Sequence, residues 1–337
     1  MTQNTQVIFK ARPTGWVDDS HFEIVSNPAS TPGDGEALVR NIYMSVDPYM
    51  RGRMREQKSY TPGFELGKVL QAGAVGQVVE SRAPELAEGD LVQGMLGWEN
   101  YSVAKAGQLF KVDGKAAALS YYLGILGMPG MTAWVGLRNI GKPRTGETVY
   151  VSAASGAVGQ VAGQIAKLQG CRVTGSAGAD DKVAYLLDEL GFDAAFNYKT
   201  AASLGGALGE ACPNGIDVYF ENVGGAMLDA VLARINPLAR IVACGMISQY
   251  NLERPEGVRN LATIVANRAL MQGFIVSDHM DQRDDFLAEM SAWLRGDKIQ
   301  YRETVAQGIE NAPAAFIGML KGENFGKQVV QLADWPA

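Results

Sequence analysis

Residues 148–159, TVYVSAASGAVG, constrain this chain more than any other segment. An apolar strand-forming run, Val149-Tyr150-Val151, gives way to small residues and then to Ala154-x-Gly156-x-x-Gly159. A helical period follows at Val158, Val161, Ala162 and Ile165 and closes at Gly170. This is strand, tight turn and helix, the context in which a G-x-G-x-x-G motif carries meaning. Small residues let the backbone approach a pyrophosphate, and the N–H groups and dipole of the helix start attract its charge. Ala154 stands in place of the first glycine, a change that leaves the geometry intact. Ala154, Ser155, Gly156, Ala157, Val158 and Gly159 are therefore the candidate dinucleotide cradle.

The next segment bears on which dinucleotide. A second strand, CRVTG at 171–175, ends where an NAD site places a carboxylate for the ribose hydroxyls. Here the tip reads Gly175-Ser176-Ala177-Gly178. Small residues leave room for a 2′-phosphate, and Lys182 on the following helix supplies a counter-charge. Asp180 and Asp181 oppose a phosphate unless they point away. The balance favours NADP(H).

With 337 residues the chain can form two domains with large cores. A net charge of −6 and the lack of a basic tract argue against a nucleic-acid partner. Three dispersed cysteines, Cys171, Cys212 and Cys244, suggest a reducing compartment. The start, MTQNTQVIFKARP, has no apolar core of a secretory signal. Residues 116–137 are uncharged and about as long as a membrane span. However, Met128-Pro129-Gly130 interrupts them, and two buried helices meeting at a Pro-Gly junction are expected instead. A soluble, cytoplasmic protein without a membrane partner is expected.

The first third reads as short strands (VIFKA, FEIV, EALVRNIYMSV, KVLQAGAVGQVVES, DLVQGML, NYSVA, QLFKV) punctuated by Gly and Pro, which indicates a barrel-like β domain. From about Met128 strands and helices alternate. Strands are expected at 194–198, 216–220, 240–244 and 270–276, giving a doubly wound parallel sheet. Asn222-Val223-Gly224-Gly225 and Cys244-Gly245 follow strand ends, where such a sheet binds its ligand. After Ile299 the pattern turns mixed, strand-like at 301–305 and helical at 312–320.

Taken together, MSVDPYMRGRM (44–54), LGMPGMTAW (126–134), AASGAVG (153–159), GFDAAFNYKT (191–200), YFENVGG (219–225), CGMISQYN (244–251), MQGFIV (271–276) and LKGENFGK (320–327) run nearly end to end. The chain that carries them resembles the medium-chain dehydrogenase/reductase superfamily. It is most similar to the zinc-independent NADPH-dependent double-bond reductases, which include prostaglandin, alkenal and curcumin reductases. The resemblance implies an α/β fold: a GroES-like β-barrel-type catalytic domain at 1–127, a doubly wound Rossmann domain at 128–298 and a return to the first domain at 299–337. It also implies cofactor roles for Lys182, Tyr198, Asn222, Cys244, Gly245, Ser248, Tyr250, Phe274, Ile275, Val276 and Asn324. Tyr250 and Tyr49 are implied as substrate-pocket residues.

No metal site is expected. Catalytic zinc takes about three Cys, His or carboxylate ligands. The chain has only His21 and His279 and no C-x-x-C pair, and the resemblance implies that Phe64, in Gly63-Phe64-Glu65, stands where the superfamily's zinc enzymes carry a His ligand. Hydride addition to a conjugated C=C then needs an oriented alkene and donors at the developing enolate oxygen, a task suited to tyrosine hydroxyls. The expected activity is NADPH-dependent reduction of enals and enones. Quinone reduction, or NADPH binding without catalysis, are the alternatives. Arg51 and Arg53 are expected as paired surface charges, with attraction of an acidic substrate as the alternative. The apolar strand LMQGFIV would leave an exposed edge, and the resemblance implies that two such edges pair in a homodimer.

Overall fold

The computed structural model describes residues 2–335. Strands β1 (Gln3–Phe9) and β2 (Phe22–Pro28) pair antiparallel, Gln3 opposite Pro28. β3 (Glu36–Ser45) leads through a single helical turn, α1 (Met50–Arg53), to β4 (Gln71–Ser81). β5 (Leu91–Gly97), β6 (Tyr101–Lys105) and β7 (Phe110–Lys111) follow. Alternate residues such as Ala37 and Val39, or Ala72 and Ala74, are fully buried, as the two-residue period of a half-buried strand requires. Their core is organised by Trp98, which stacks on Phe22 and meets Phe316 edge-on.

The uncharged segment at 116–137 differs from the expected helix pair. Leu119–Leu123 is a 3-10 turn, and Pro129 lies in the first turn of α2 (Met128–Val135), which runs on as a wider turn over Gly136–Gly141. Proline starts this helix rather than separating two, because its missing N–H is one that a first turn leaves unpaired anyway. Met131, Ala133, Trp134, Val135 and Leu137 are buried in protein. Among the described residues no helix is long and apolar enough to cross a membrane.

The chain then alternates: β8 (Thr148–Val151), α3 (Gly159–Leu168), β9 (Arg172–Ala177), α4 (Asp180–Asp188), β10 (Ala194–Asn197), α5 (Leu204–Ala211), β11 (Ile216–Glu221), α6 (Gly225–Leu232), β12 (Ile235–Ala243), α7 (Ala262–Asn267), β13 (Leu270–Gly273) and α8 (Arg283–Arg295). These strands form a parallel sheet in the order β10-β9-β8-β11-β12-β13, a doubly wound arrangement whose direction of travel reverses between β8 and β11. β8 is buried on both faces, which explains its unbroken apolar run. Several strand limits depart from expectation, most of all β12, which begins at Ile235 rather than 240. β9 continues to Ala177, and β13 stops at Gly273, so Phe274, Ile275 and Val276 lie beyond it. The sheet does end on β13, where Leu270 is exposed.

The tail contributes β14 (Glu303–Gln307), α9 (Ala312–Lys321) and β15 (Lys327–Gln331). β15 pairs parallel with β14 and antiparallel with β3, completing a seven-stranded sheet among the described residues. Residues through Gly124 with those from Glu303 form one compact unit, and Ile125–Arg302 form the other.

β15 was not signalled by the sequence, and its seat is set by a buried cation. Lys327 is 1 % exposed, lies 3.1 Å from the Asp47 carboxylate and donates to the carbonyls of Val46 and Gln328. Lys327→Met would leave Asp47 buried without its counter-charge, a change that costs about 3–5 kcal/mol. Urea unfolding measures this, and a loss below about 1 kcal/mol would mean the pair behaves as an exposed one.

Candidate active site

The turn after β8 is shaped by close backbone approach. Ala153 adopts a left-handed conformation (φ 48°), and its carbonyl accepts from Gly156 N–H at 3.0 Å. A Cβ on Gly159 would lie 2.4 Å from that same carbonyl oxygen, so only glycine fits where α3 begins. Ala154 is fully buried and donates its N–H to Ser176, tying the turn to β9. Ser155, Gly156, Ala157 and Val158 complete the curve into α3, where the N–H groups of Gln160 and Ala162 bond back to the Gly156 and Val158 carbonyls.

At the tip of β9 the structure refines the expected phosphate site. Ser176 is buried and its hydroxyl is spent on Tyr150 at 2.7 Å, so it is not available to a ligand. Gly178 forms the floor instead. A Cβ there would meet the Tyr198 hydroxyl at 3.0 Å and Lys199 Cε at 3.1 Å. Lys182 is 9 % exposed, and burial, together with the nearby Lys199 charge, holds its pKa below the ordinary lysine value against the opposing pull of Asp181. The two aspartates are engaged locally, Asp180 accepting from Asn197 at 2.7 Å and Asp181 from the Lys182 N–H at 2.8 Å. Lys182, Tyr198 and Lys199 thus gather at one small-residue tip. Lys199 escaped the sequence reading, although its place beside Tyr198 in the NYKT run was the available signal.

At the ends of β11 and β12 a buried network supports the remaining candidates. Glu221 is fully buried, and its Oε1 accepts from Val223 N–H (2.6 Å), Gly224 N–H (2.9 Å) and the Ser152 hydroxyl (3.2 Å). Burial raises the Glu221 pKa, while these backbone and hydroxyl donors pull it down. Asn222 donates its N–H to the Ser152 hydroxyl and its side-chain amide to the Ser152 carbonyl at 2.8 Å. Glu221 and Ser152 were both missed, since nothing local in the sequence marks a carboxylate as buried.

The 244–250 loop hangs from the same turn. Cys244 and Gly245 donate N–H groups to the Glu221 carbonyl, Ile247 to Asn222 and Ser248 to Val223. The Ser248 hydroxyl also bonds the Val223 carbonyl at 2.6 Å. Burial, with Glu221 adding to it, pushes the Cys244 thiol up to about 12, so Cys244 is neutral. The Tyr250 hydroxyl accepts from Met246 N–H at 3.2 Å and lies 3.1 Å from where a Cβ on Gly245 would sit. Beyond β13, the Phe274 ring packs against Gly136, while Ile275 and Val276 are half-buried.

Two candidates belong to the other unit. Asn324 donates its amide to the Gly326 carbonyl at 2.7 Å and lines a hollow of about 260 Å³ with Thr304, Asn311, Glu323 and Gln328. Tyr49 precedes α1. Burial first, then Asp47, raises its hydroxyl pKa, opposed by the charge and hydrogen bond of Arg53. Arg51 and Arg53 are not surface charges. Arg51 is fully buried, donates to Gly15 O at 2.6 Å, and has its pKa lowered to about 10 by burial. Arg53 donates to Pro62 O and Gln71 and lies 4.1 Å from the Phe64 ring centroid. Phe64 therefore serves as a core platform. Among the described residues no three His, Cys, Asp or Glu side chains gather as metal ligands.

Residues 5–112 match the family described as the N-terminal domain of oxidoreductase, and residues 157–294 match that described as zinc-binding dehydrogenase. The chain is 49 % identical to the NADP-dependent 2-alkenal reductase of Nicotiana tabacum over 98 % of both chains. It is 44 % identical to the NADPH-dependent curcumin reductase of Escherichia coli, covering 98 % of this chain and 97 % of that one. The crystal structure of CurA from Vibrio vulnificus in complex with NADPH superimposes with a TM-score of 0.94 at 44 % identity, covering 98 % of this chain and all of that one.

Proposed function

Since this chain belongs to the medium-chain dehydrogenase/reductase family, we propose that it is an NADPH-dependent reductase of the C=C bond of α,β-unsaturated aldehydes and ketones. The observation that carries the reading is the β9 tip, where Lys182 is buried beside small residues, with Lys199 and Tyr198 at its rim. These groups fit a 2′-phosphate, which needs cationic donors and space for its oxygens. Activity on alkenals and curcumin, named for relatives that match along the whole chain, supports the substrate class.

In this reading Ala154, Ser155, Gly156, Ala157, Val158 and Gly159 hold the pyrophosphate, and Lys182, Tyr198 and Lys199 hold the 2′-phosphate. Asn222, the backbone of Cys244, Gly245 and Ser248, and Phe274, Ile275 and Val276 complete the cofactor site of this unit. Bound NADPH supplies a hydride for the β-carbon, which leaves negative charge on the carbonyl oxygen and calls for a proton at the α-carbon. Tyr250, whose hydroxyl accepts the Met246 N–H, is in this reading a hydroxyl donor to that oxygen. Tyr49, in the other unit, has its pKa raised by burial and so stays a neutral hydroxyl.

Lys182→Ala should raise the Kd for NADPH about tenfold or more, as loss of a charged hydrogen bond implies, while leaving NADH almost unchanged. Equal losses for both cofactors would remove Lys182 from the phosphate site. Tyr250→Phe should lower kcat more than NADPH affinity, because the lost bond strengthens only as charge develops. With deuterated NADPH the label should reach the β-carbon of a saturated carbonyl product. A labelled allylic alcohol would instead establish carbonyl reduction and overturn the reading.

The exposed β13 edge supports a homodimer in which two such edges pair. Light scattering at micromolar concentration should give twice the chain mass, and a monomer would dismiss the pairing.

A further inference from the structure

Three strand-end segments of the Rossmann-type unit, after β8, β11 and β12, carry candidate cofactor residues, and no regular strand pairing extends that far. What joins them is one carboxyl and one hydroxyl. Glu221 Oε1 collects the N–H groups of Val223 and Gly224 and faces the Ser152 hydroxyl, while Ser152 in turn receives the Asn222 N–H (3.0 Å) and the Tyr219 hydroxyl (3.1 Å). The 244–250 loop is bonded to the carbonyls of Glu221, Asn222 and Val223, so its position follows that of the turn. Glu221 Oε2 is buried and has no hydrogen-bond partner among the described residues. Oε1 therefore carries the bonds to the turn and to Ser152, and the Tyr219 hydroxyl also interacts with the carboxyl.

We propose that Glu221, with Ser152, is a positioning residue that clasps the ends of β8 and β11 and thereby presents Asn222 and the 244–250 loop as a preformed groove for the half of NADPH remote from its 2′-phosphate. The division into halves follows from the topology. A dinucleotide lies across the point where strand order reverses, with its adenosine end over β9 and its other end over β11 and β12. Glu221 itself is shielded from ligand, so its effect passes through the residues it holds. The inference rests on the NADPH reading above but not on the identity of the substrate.

Cofactor binding, followed by NADPH and NADH fluorescence without substrate, tests it. If the groove is competent in only a tenth of Glu221→Ala molecules, Kd rises about tenfold, equally for both cofactors. The NADPH:NADH ratio should stay at its wild-type value, in contrast to Lys182→Ala. Glu221→Gln keeps an acceptor oxygen for the turn N–H groups and Ser152 and should bind within about threefold of wild type. Should Glu221→Ala fail to fold, Ser152→Ala serves in its place, with the same equal rise for the two cofactors. An unchanged Kd in the folded alanine variant, a loss confined to NADPH, or a glutamine variant as impaired as alanine would each overturn the clasp. Failure to reduce any enone, with these binding shifts intact, would refute the substrate assignment alone.

Discussion

Strand order reverses between β8 and β11, and this reversal dictates where loops can open on the parallel sheet. The two strands are neighbours, yet the connections that leave them run to opposite sides, so their carboxyl ends diverge. Backbone groups exposed by that divergence must find partners inside the protein. Ser152 and Glu221 provide them, which is why a carboxylate is tolerated in full burial there. The turn through Asn222, the loop through Tyr250 and the small-residue curve after β8 all take their positions from this arrangement.

A comparable economy governs the other unit. The chain returns after Glu303 to add β14 and β15, and an added strand needs more than edge hydrogen bonds to hold its register. Lys327 places its ammonium among the Asp47 carboxylate and the Val46 and Gln328 carbonyls, out of contact with solvent at 1 % exposure. A buried pair of this kind adds little net stability, but a misplaced register would strand both charges. Because Asp47 lies two residues from Tyr49 in the DPYMR motif, the same pair anchors the start of α1.

Several residues that look chemical in the sequence serve packing. Arg51 supports the carbonyls near Gly15, and Arg53 bridges Pro62, Gln71, Phe64 and Tyr49. Both are enclosed, so neither offers a free charge to an acidic substrate. Ser176 is similar, its hydroxyl satisfied by Tyr150 in the sheet. A polar side chain in a motif is thus not yet a ligand contact, because a buried group first has to satisfy its own hydrogen-bonding needs.

The strand–turn–helix at 148–168, the succession of βα units, the small β9 tip and the nearby Lys182 were all readable from the chain. Each depends on residues close in sequence, where period, turn chemistry and helix signals act directly. Strand limits were read less well: β9 runs on to Ala177, β13 stops at Gly273, and proline begins α2 instead of dividing two helices. The buried clasp could not be read at all. Ser152 and Glu221 meet across 69 positions, and Lys327 and Val46 across 281, so their pairing follows from which strands become neighbours. Local sequence determined that this chain would build a dinucleotide-type βα unit with a β9 tip suited to a 2′-phosphate. Only packing decided which polar groups were enclosed, because burial and hydrogen-bond partners are properties of the assembled sheets.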